Sequence, residues 1–196
     1  MGRNKEFDTT LVLHKAMEVF GEYGYDGTSL QELLAKLGIA RQSLYDTYGT
    51  KRELFLSALK SYIKQKTDDV IALLEAPGSV KEAITRIFQE GMKVLLEDSE
   101  RRRQCFIINS AVELMPVDPE IAAILSSNTA VLEQAFYKAL VRAEAQGELS
   151  PKHGDLMALA RYLNHSRLSL TFHAKNVSGP EVLQDIVKVT LSVLDN

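Results

Sequence analysis

The chain has no tryptophan, one cysteine (Cys105), five prolines and eleven glycines among its 196 residues. A single cysteine excludes an internal disulfide and a zinc ribbon, since each needs at least two thiols. So few prolines and glycines leave long stretches without a breaker, and no run of alternating β-branched residues marks a strand. No apolar run approaches the ~18 residues that a membrane-spanning helix needs, and no charged start followed by an apolar stretch marks a secretory leader. The expectation is a cytoplasmic protein with no membrane partner. An excess of positive charge is also missing. The net charge is −3, with eight basic and eight acidic residues in 1–60 and fifteen basic against eighteen acidic beyond. Any surface that attracts nucleic acid must therefore come from placement, with Arg3 and Lys5 in a polar N-terminal arm and Arg41 and Lys51 at helix starts. Gly-rich phosphate loops, nucleophile elbows and paired-acid motifs are missing, and no two histidines stand at i, i+4. The expectation is no catalytic residue, no metal, no cofactor and no enzymatic activity.

What is present is helix. Hydrophobic residues make up 45% of the chain, and they recur at spacings of three and four, which predicts an all-α fold of about nine helices.

The most informative stretch is Thr28 to Lys51, TSLQELLAKLGIARQSLYDTYGTK. Thr28 with Gln31 three residues on has capping-box spacing. Leu30, Leu33, Leu34 and Leu37 form one apolar face, and Gly38 is a helix stop because glycine tolerates the left-handed conformation. Ile39 plugs the turn. A second short helix fits Arg41 to Tyr48 with Leu44 and Tyr48 inward. The spacing predicts a helix-turn-helix. Arg41, Gln42, Ser43 and Tyr45 face outward and suit base edges in the major groove, where arginine bridges guanine and glutamine bridges adenine. Thr28, Gln31, Thr47 and Lys51 are the expected phosphate contacts, Lys51 together with the free N–H groups of its helix start.

At these residues the chain resembles the tetracycline-repressor (TetR) family of bacterial transcription regulators. The matching text is Phe20, Gly24, Thr28, Leu33, Gly38, Leu44, Tyr45, Tyr48, Lys51, Leu54 and Phe55. The resemblance implies an N-terminal three-helix DNA-binding head (1–50) and a helical body (51–196) that binds ligand and dimerises. Its partners would be a palindromic double-stranded DNA operator, a small-molecule inducer and a second copy of the chain. Two positions depart from the pattern: Ala40, where a serine or threonine usually caps the recognition helix, and Asp46, whose carboxylate would repel a phosphate.

Beyond the head, a helix from Lys51 to about Glu75 is long enough to join both halves. At ~1.5 Å per residue it runs close to 40 Å, so a tilt at its far end would be felt at Lys51. APGS (76–79) breaks the chain before a helix from Val80 to about Glu97. The next begins near Arg103 and ends before Pro116. Asp118 with Pro119 starts a helix to about Gln146. Asp155 caps one from Leu156 to about Lys175, and the last runs from Pro180 to Leu194. On that last helix Val182, Ile186, Val189 and Val193 form one stripe, while Leu183, Val187, Leu191 and Leu194 form a second. A helix wetted on one side needs only one, so the extra stripe predicts a dimer interface shared with Leu156, Leu159 and Leu163.

For the ligand pocket, the candidates are the polar groups Asn164, His165 and Arg167 with Phe172 on the same helix, Tyr62, Phe88, Met92, Phe106 and Phe136 as apolar walls, and Cys105. Cys105 follows Arg101, Arg102 and Arg103, which with a helix start would favour a thiolate. Its surrounding text, CFIINSAVEL, resembles a TetR subgroup with electrophile-responsive members, and Lys175 is a candidate partner. The alternatives are a packed, inert thiol, a thiol enzyme, or a helical ligand carrier that does not read DNA.

Overall fold

The structure is a computed structural model that describes residues 8–97, 105–150, 154–174 and 179–195. Among the described residues there are nine α-helices and no strand. They are α1 (Thr9–Tyr23), α2 (Leu30–Leu37), α3 (Arg41–Tyr48), α4 (Lys51–Glu75), α5 (Val80–Glu97), α6 (Phe106–Glu113), α7 (Pro119–Ala145), α8 (Leu156–Ala174) and α9 (Pro180–Ser192). The N-terminal arm with Arg3 and Lys5, the Arg101–Arg103 run, and Lys175 lie outside the described residues.

Local chemistry accounts for the boundaries. The Asp8 carboxylate accepts from Thr10 N and Leu11 N at the start of α1. Asp118 does the same for Glu120 N and Ile121 N before α7, and Asp155 for Met157 N and Ala158 N before α8. Gly38 closes α2 at φ 69°, a left-handed conformation that would strain any residue with a Cβ.

The chain divides into two compact units, Met1–Lys64 with Gln104–Leu125, and Gln65–Arg103 with Ser126–Asn196. Helices α4 and α7 contribute residues to both. The first unit is larger than the 1–50 head. Its core joins Val12, Ala16 and Phe20 of α1, Leu33 and Leu37 of α2 and Leu44 of α3 to Leu54, Phe55 and Leu59 of α4 and to Phe106 and Leu114. Three short helices bury too little apolar surface by themselves, and α4 and α6 supply the rest. At its centre Phe20, Phe55 and Phe106 meet with centroids 5.0–6.2 Å apart, and Tyr62 stands edge-on to Phe106.

The second unit has a mainly aliphatic core around Ile84, Phe88, Leu132, Phe136, Leu140, Ala160, Leu163, Leu183 and Val187, with α5, α8 and α9 packed on one another. Glu148 fastens the α5 end, accepting from Ser79 Oγ, Val80 N and Lys81 N. Burial pushes its carboxyl up, but those hydrogen bonds and Arg142 outweigh burial and hold it below the usual range. Arg142 donates to the carbonyls of Leu74 and Ala76, which end α4.

Candidate nucleic-acid interface

Helices α2 and α3 form the expected pair, but α2 is capped one residue later than its sequence predicts. Ser29 is the N-cap: its hydroxyl accepts from Glu32 N, while the Glu32 carboxylate accepts from Ser29 N, completing a capping box. Thr28 is 2% exposed and its hydroxyl donates to Gly24 O at 2.7 Å. It therefore neither caps α2 nor offers a surface to a phosphate, which corrects both expectations. The text TSLQE contains two overlapping boxes, Thr28 with Gln31 and Ser29 with Glu32. Fixing Thr28 inward against the end of α1 selects the second. Gln31 remains exposed on the first turn. Ser29 holds the Glu32 carboxyl below its ordinary range, so the box carries its charge at neutral pH.

Helix α3 is anchored by Leu44, which is fully buried, and by Tyr48, whose hydroxyl donates to Thr9 O at 2.8 Å. Burial first, and then the nearby Asp8 carboxylate, push the Tyr48 hydroxyl above its usual range, which keeps it a donor. With those two side chains turned inward, Arg41, Gln42 and Tyr45 are exposed, and Ser43 and Thr47 are half-buried. Tyr45 shows 44% of its surface. Gln42 Nε2 donates to Asp46 Oδ1 at 2.7 Å. That bond uses one of the two amide N–H donors and orients the side chain, so the carboxylate at 46 acts on its neighbour as well as on any phosphate. Ala40 occupies the N-cap with no side-chain hydrogen bond, and the first N–H groups of α3 stay open to solvent or to an anion.

Lys51 is differently placed from its sequence expectation. Its ammonium donates to the Tyr25 carbonyl and stands 4.1 Å from the centroid of the Tyr25 ring. Burial lowers its pKa, although the Asp26 and Glu113 carboxylates act in the opposite direction. The helix start beside it is occupied too. Thr50 Oγ1 accepts from Glu53 N, and the Glu53 carboxylate accepts from Thr50 N at 2.6 Å. The Lys51 charge is thus half-buried and shared with a carbonyl, and the free N–H groups expected at that start are partly taken.

Three groups unforeseen in the sequence hold this unit in shape. Glu113, at the end of α6, accepts from Tyr25 N at 3.0 Å and Asp26 N at 2.6 Å, bracing the turn between α1 and α2. Asn109, one turn earlier, donates to Gly21 O. Arg52 donates to Asp118 at 2.8 Å and to Glu120 at 2.9 Å, and keeps the Asp118 carboxyl below its usual range. These are contacts over 66 or more residues, so no local sequence pattern carries them.

The pocket candidates are divided between the two units. Tyr62 and Phe106 belong to the aromatic centre of the first unit, with Phe106 enclosed by Phe20, Phe55 and Tyr62. Cys105 stands half-buried at the N-cap of α6, without a side-chain capping bond. Phe88, Phe136, Met92, Asn164 and Arg167 belong to the second unit, the first two buried in its core and Met92 packed against it. His165 and Phe172 are exposed, His165 beside Glu133 at 3.2 Å, so neither is an interior wall. A helix has only one face toward its core, and these two lie off it.

The dimer candidates also divide. Leu163 is fully buried inside its own unit, whereas Leu156 and Leu159 are half-buried and pack in part against the same core. The exposed side of α8 also carries Tyr162, His165 and Phe172. On α9 the stripes separate as the sequence suggests. Leu183, Val187 and Leu194 are buried, Val182 and Val189 are 43% and 63% exposed, and Ile186 and Val193 are half-covered. Tyr162, Ser166, Ser169, Ile186 and Val189 line a groove of about 550 Å³ between the two helices.

Residues 12–58, which span α1, α2, α3 and the start of α4, match the model for bacterial regulatory proteins of the tetR family. The HTH-type transcriptional regulator YezE of Bacillus subtilis (strain 168) is 65% identical over 195 residues, covering both chains in full. This chain belongs to the TetR family of transcriptional regulators. The HTH-type transcriptional repressor ComR of Escherichia coli (strain K12) is 30% identical over 190 residues, covering 97% of this chain and 90% of that one. A cysteine-substituted form of the TetR-family regulator CifR, solved with a 26 bp operator duplex, superposes with a TM-score of 0.84 at 27% identity, over 97% of this chain and 98% of that one. The TetR assignment covers the whole fold, since helices well beyond the matched head superpose as well.

Proposed function

We propose that the chain is a homodimeric repressor that reads a palindromic operator and is released by a small-molecule inducer. The observation that carries this reading is α3: a short helix pinned from beneath by Leu44 and Tyr48, with Arg41, Gln42 and Tyr45 projecting from its free side. One such helix reads only a few base pairs, and a two-fold dimer doubles the site. The uncovered Val182 and Val189 stripe beside Tyr162 and Phe172 supplies the apolar surface for that pairing. Repressor ComR and the operator-bound CifR support DNA as the partner. Residues 1–50 would carry the DNA contacts, and 51–196 the inducer and the dimer seam.

Helix α4 has 25 residues and begins with Lys51 beside the head. Inducer binding in the body would favour a form in which the two α3 helices no longer match successive major grooves. The inducer must then bind one form more tightly than the other by several kcal/mol to move the population from mostly bound to mostly free. This reading places the protein in the cytoplasm and asks no catalytic step of it; no described helix is long and apolar enough to cross a membrane. The test is fluorescence anisotropy on a selected operator duplex. Arg41→Ala and Tyr45→Ala should each weaken specific binding by ~1–3 kcal/mol and leave non-specific binding nearly unchanged. Equal loss on both duplexes, or no loss, contradicts a base-reading role and favours a ligand carrier.

A second reading, a cysteine-based sensor, is favoured by the position of Cys105. It begins the helix whose Asn109 and Glu113 brace the α1–α2 turn. A bulky adduct there would press on α6 and release that brace. Operator release by an electrophile in the wild type and retention in Cys105→Ser would support it; release in both would exclude it.

A further inference from the structure

Helix α3 carries a negative charge that helps neither its own stability nor its approach to DNA. Asp46 lies in the last turn and is exposed. A carboxylate there opposes the partial negative charge of the helix C-terminus, and aspartate is a weak helix former. It also repels the phosphates that the outer face of α3 must approach. Among the described residues Asp46 forms no ion pair and bonds only to Gln42, whose Nε2 donates to its Oδ1 at 2.7 Å. The spacing of four puts the two side chains on one face of the helix. At 3.6 residues per turn each stands roughly 200° from Leu44, which is fully buried, so this face points furthest from the core.

A carboxylate only accepts, so it faces the nitrogen end of the Gln42 amide and sets which end is which. An unrestrained glutamine amide turns over freely and can present two N–H donors or a donor and an acceptor. With one N–H held by Asp46, Gln42 is left with a single N–H and Oε1. That pair matches adenine, whose N7 accepts and whose N6 amino group donates, and does not match guanine, whose N7 and O6 both accept. We infer that Asp46 is a positioning residue for base readout: it fixes the Gln42 amide so that each operator half-site carries an adenine within reach of Gln42 and guanine is rejected there. The inference rests on the reading of α3 as the base-reading helix and adds which base one of its side chains takes. The Asp46 charge lowers affinity for every duplex, while the bond it makes widens the difference between duplexes.

The test is selection of random duplex DNA on the full-length protein and on its variants, followed by anisotropy titration of the selected duplex with each of the four bases at the position whose preference Gln42→Ala abolishes. The wild type should prefer adenine over guanine there by about tenfold or more. Asp46→Asn, whose amide can donate as well as accept, should bind all four duplexes more tightly and lose most of that preference. Asp46→Ala should act in the same way, and gives a second measure in case the first variant fails to fold by circular dichroism. Asp46→Glu keeps a carboxylate at the same spacing and should retain the preference. Adding Asp46→Asn to Gln42→Ala should change the base profile no further, because the two side chains act as one unit. A gain in affinity that is equal on all four duplexes means that Asp46 only repels DNA, and overturns the inference. An Asp46→Asn effect at a different base position from that of Gln42 also overturns it, since the carboxylate would then read a base itself. So does a Gln42→Ala variant that loses no position, or a position that is not adenine. In each of these cases a motif enriched by the wild type leaves the regulator reading standing. A folded wild type that enriches no motif overturns both.

Discussion

The two units are held together in different ways. In the first, an aromatic centre of Phe20, Phe55 and Phe106 is surrounded by polar ties over long sequence distances: Glu113 to the Tyr25–Asp26 turn, Asn109 to Gly21, Arg52 to Asp118, Tyr48 to Thr9. In the second, the ties of Glu148 and Arg142 lie at one end, and a mainly aliphatic core with only Phe88 and Phe136 as buried rings encloses Thr67, Asn128 and Asn164 and leaves a valine stripe uncovered. A reading head must keep α3 in one orientation, and directional hydrogen bonds with rigid rings do that. A responsive body needs alternatives of similar energy, and an aliphatic core with an open face permits them.

The largest effect that tests this contrast is expected at the uncovered face. Val189→Arg places a charge on a stripe that the dimer would bury, and should leave a folded monomer by light scattering. Operator affinity should then fall ~100-fold or more, because the second head no longer binds intramolecularly. A dimer of unchanged stability would remove the body's valine stripe from the account. In the aromatic centre of the first unit, Phe106→Ala is expected to cost about 3–5 kcal/mol in denaturant unfolding. Phe172→Ala, on the exposed side of α8, should change monomer stability by no more than ~0.5 kcal/mol. Similar costs for both would erase the distinction between a ring used for packing and a ring left at the surface.

A smaller effect concerns the two helices of the head. Helix α2 carries a complete capping box and α3 carries none. Ala40→Ser should raise stability by about 0.5–1 kcal/mol, while Ser29→Ala should lower it by ~1 kcal/mol. If Ala40→Ser gains stability but weakens operator binding, the open N–H groups of α3 serve the DNA.

The smallest effect is on acid stability. Asp118 is held below its ordinary value of 3.8 by Arg52, and Glu148 below 4.5 by hydrogen bonds that outweigh its burial. A carboxyl with a lowered folded pKa binds fewer protons than in the unfolded chain. Its contribution is therefore complete above the unfolded value and is lost as pH falls through the folded one. Thermal unfolding from pH 6 down to pH 3 should show stability falling below about pH 4.5, with a shallower slope in Glu148→Gln. A slope unchanged by that substitution would take Glu148 out of the ledger of acid-sensitive groups.

Much of the fold was legible because its signals are local. Lys51–Glu75 and Val80–Glu97 fall where the spacing and the APGS break predict, and Asp118, Asp155 and Gly38 act as the caps that their residue types suggest. Where two local solutions overlapped, as at Thr28 and Ser29, only the packing of Thr28 against the end of α1 decides between them. The site was legible in part for the same reason. The exposed set on α3 follows from placing Leu44 and Tyr48 inward, whereas the burial of Lys51 against Tyr25 and the Glu113 brace depend on residues far apart in the chain. Leucine periodicity on α8 showed that a face exists and not whether a second copy or the chain's own core covers it; Leu163 turned out to face the core.

The most direct test of the central claim is selection of random duplex DNA on the purified protein at near-physiological salt, with sequencing of the bound pool. The account predicts enrichment of a palindrome whose half-sites lie about one helical turn apart or a multiple of it, and loss of that motif with Arg41→Ala. A folded, dimeric protein that enriches no motif, or one whose motif survives Arg41→Ala unchanged, would contradict it.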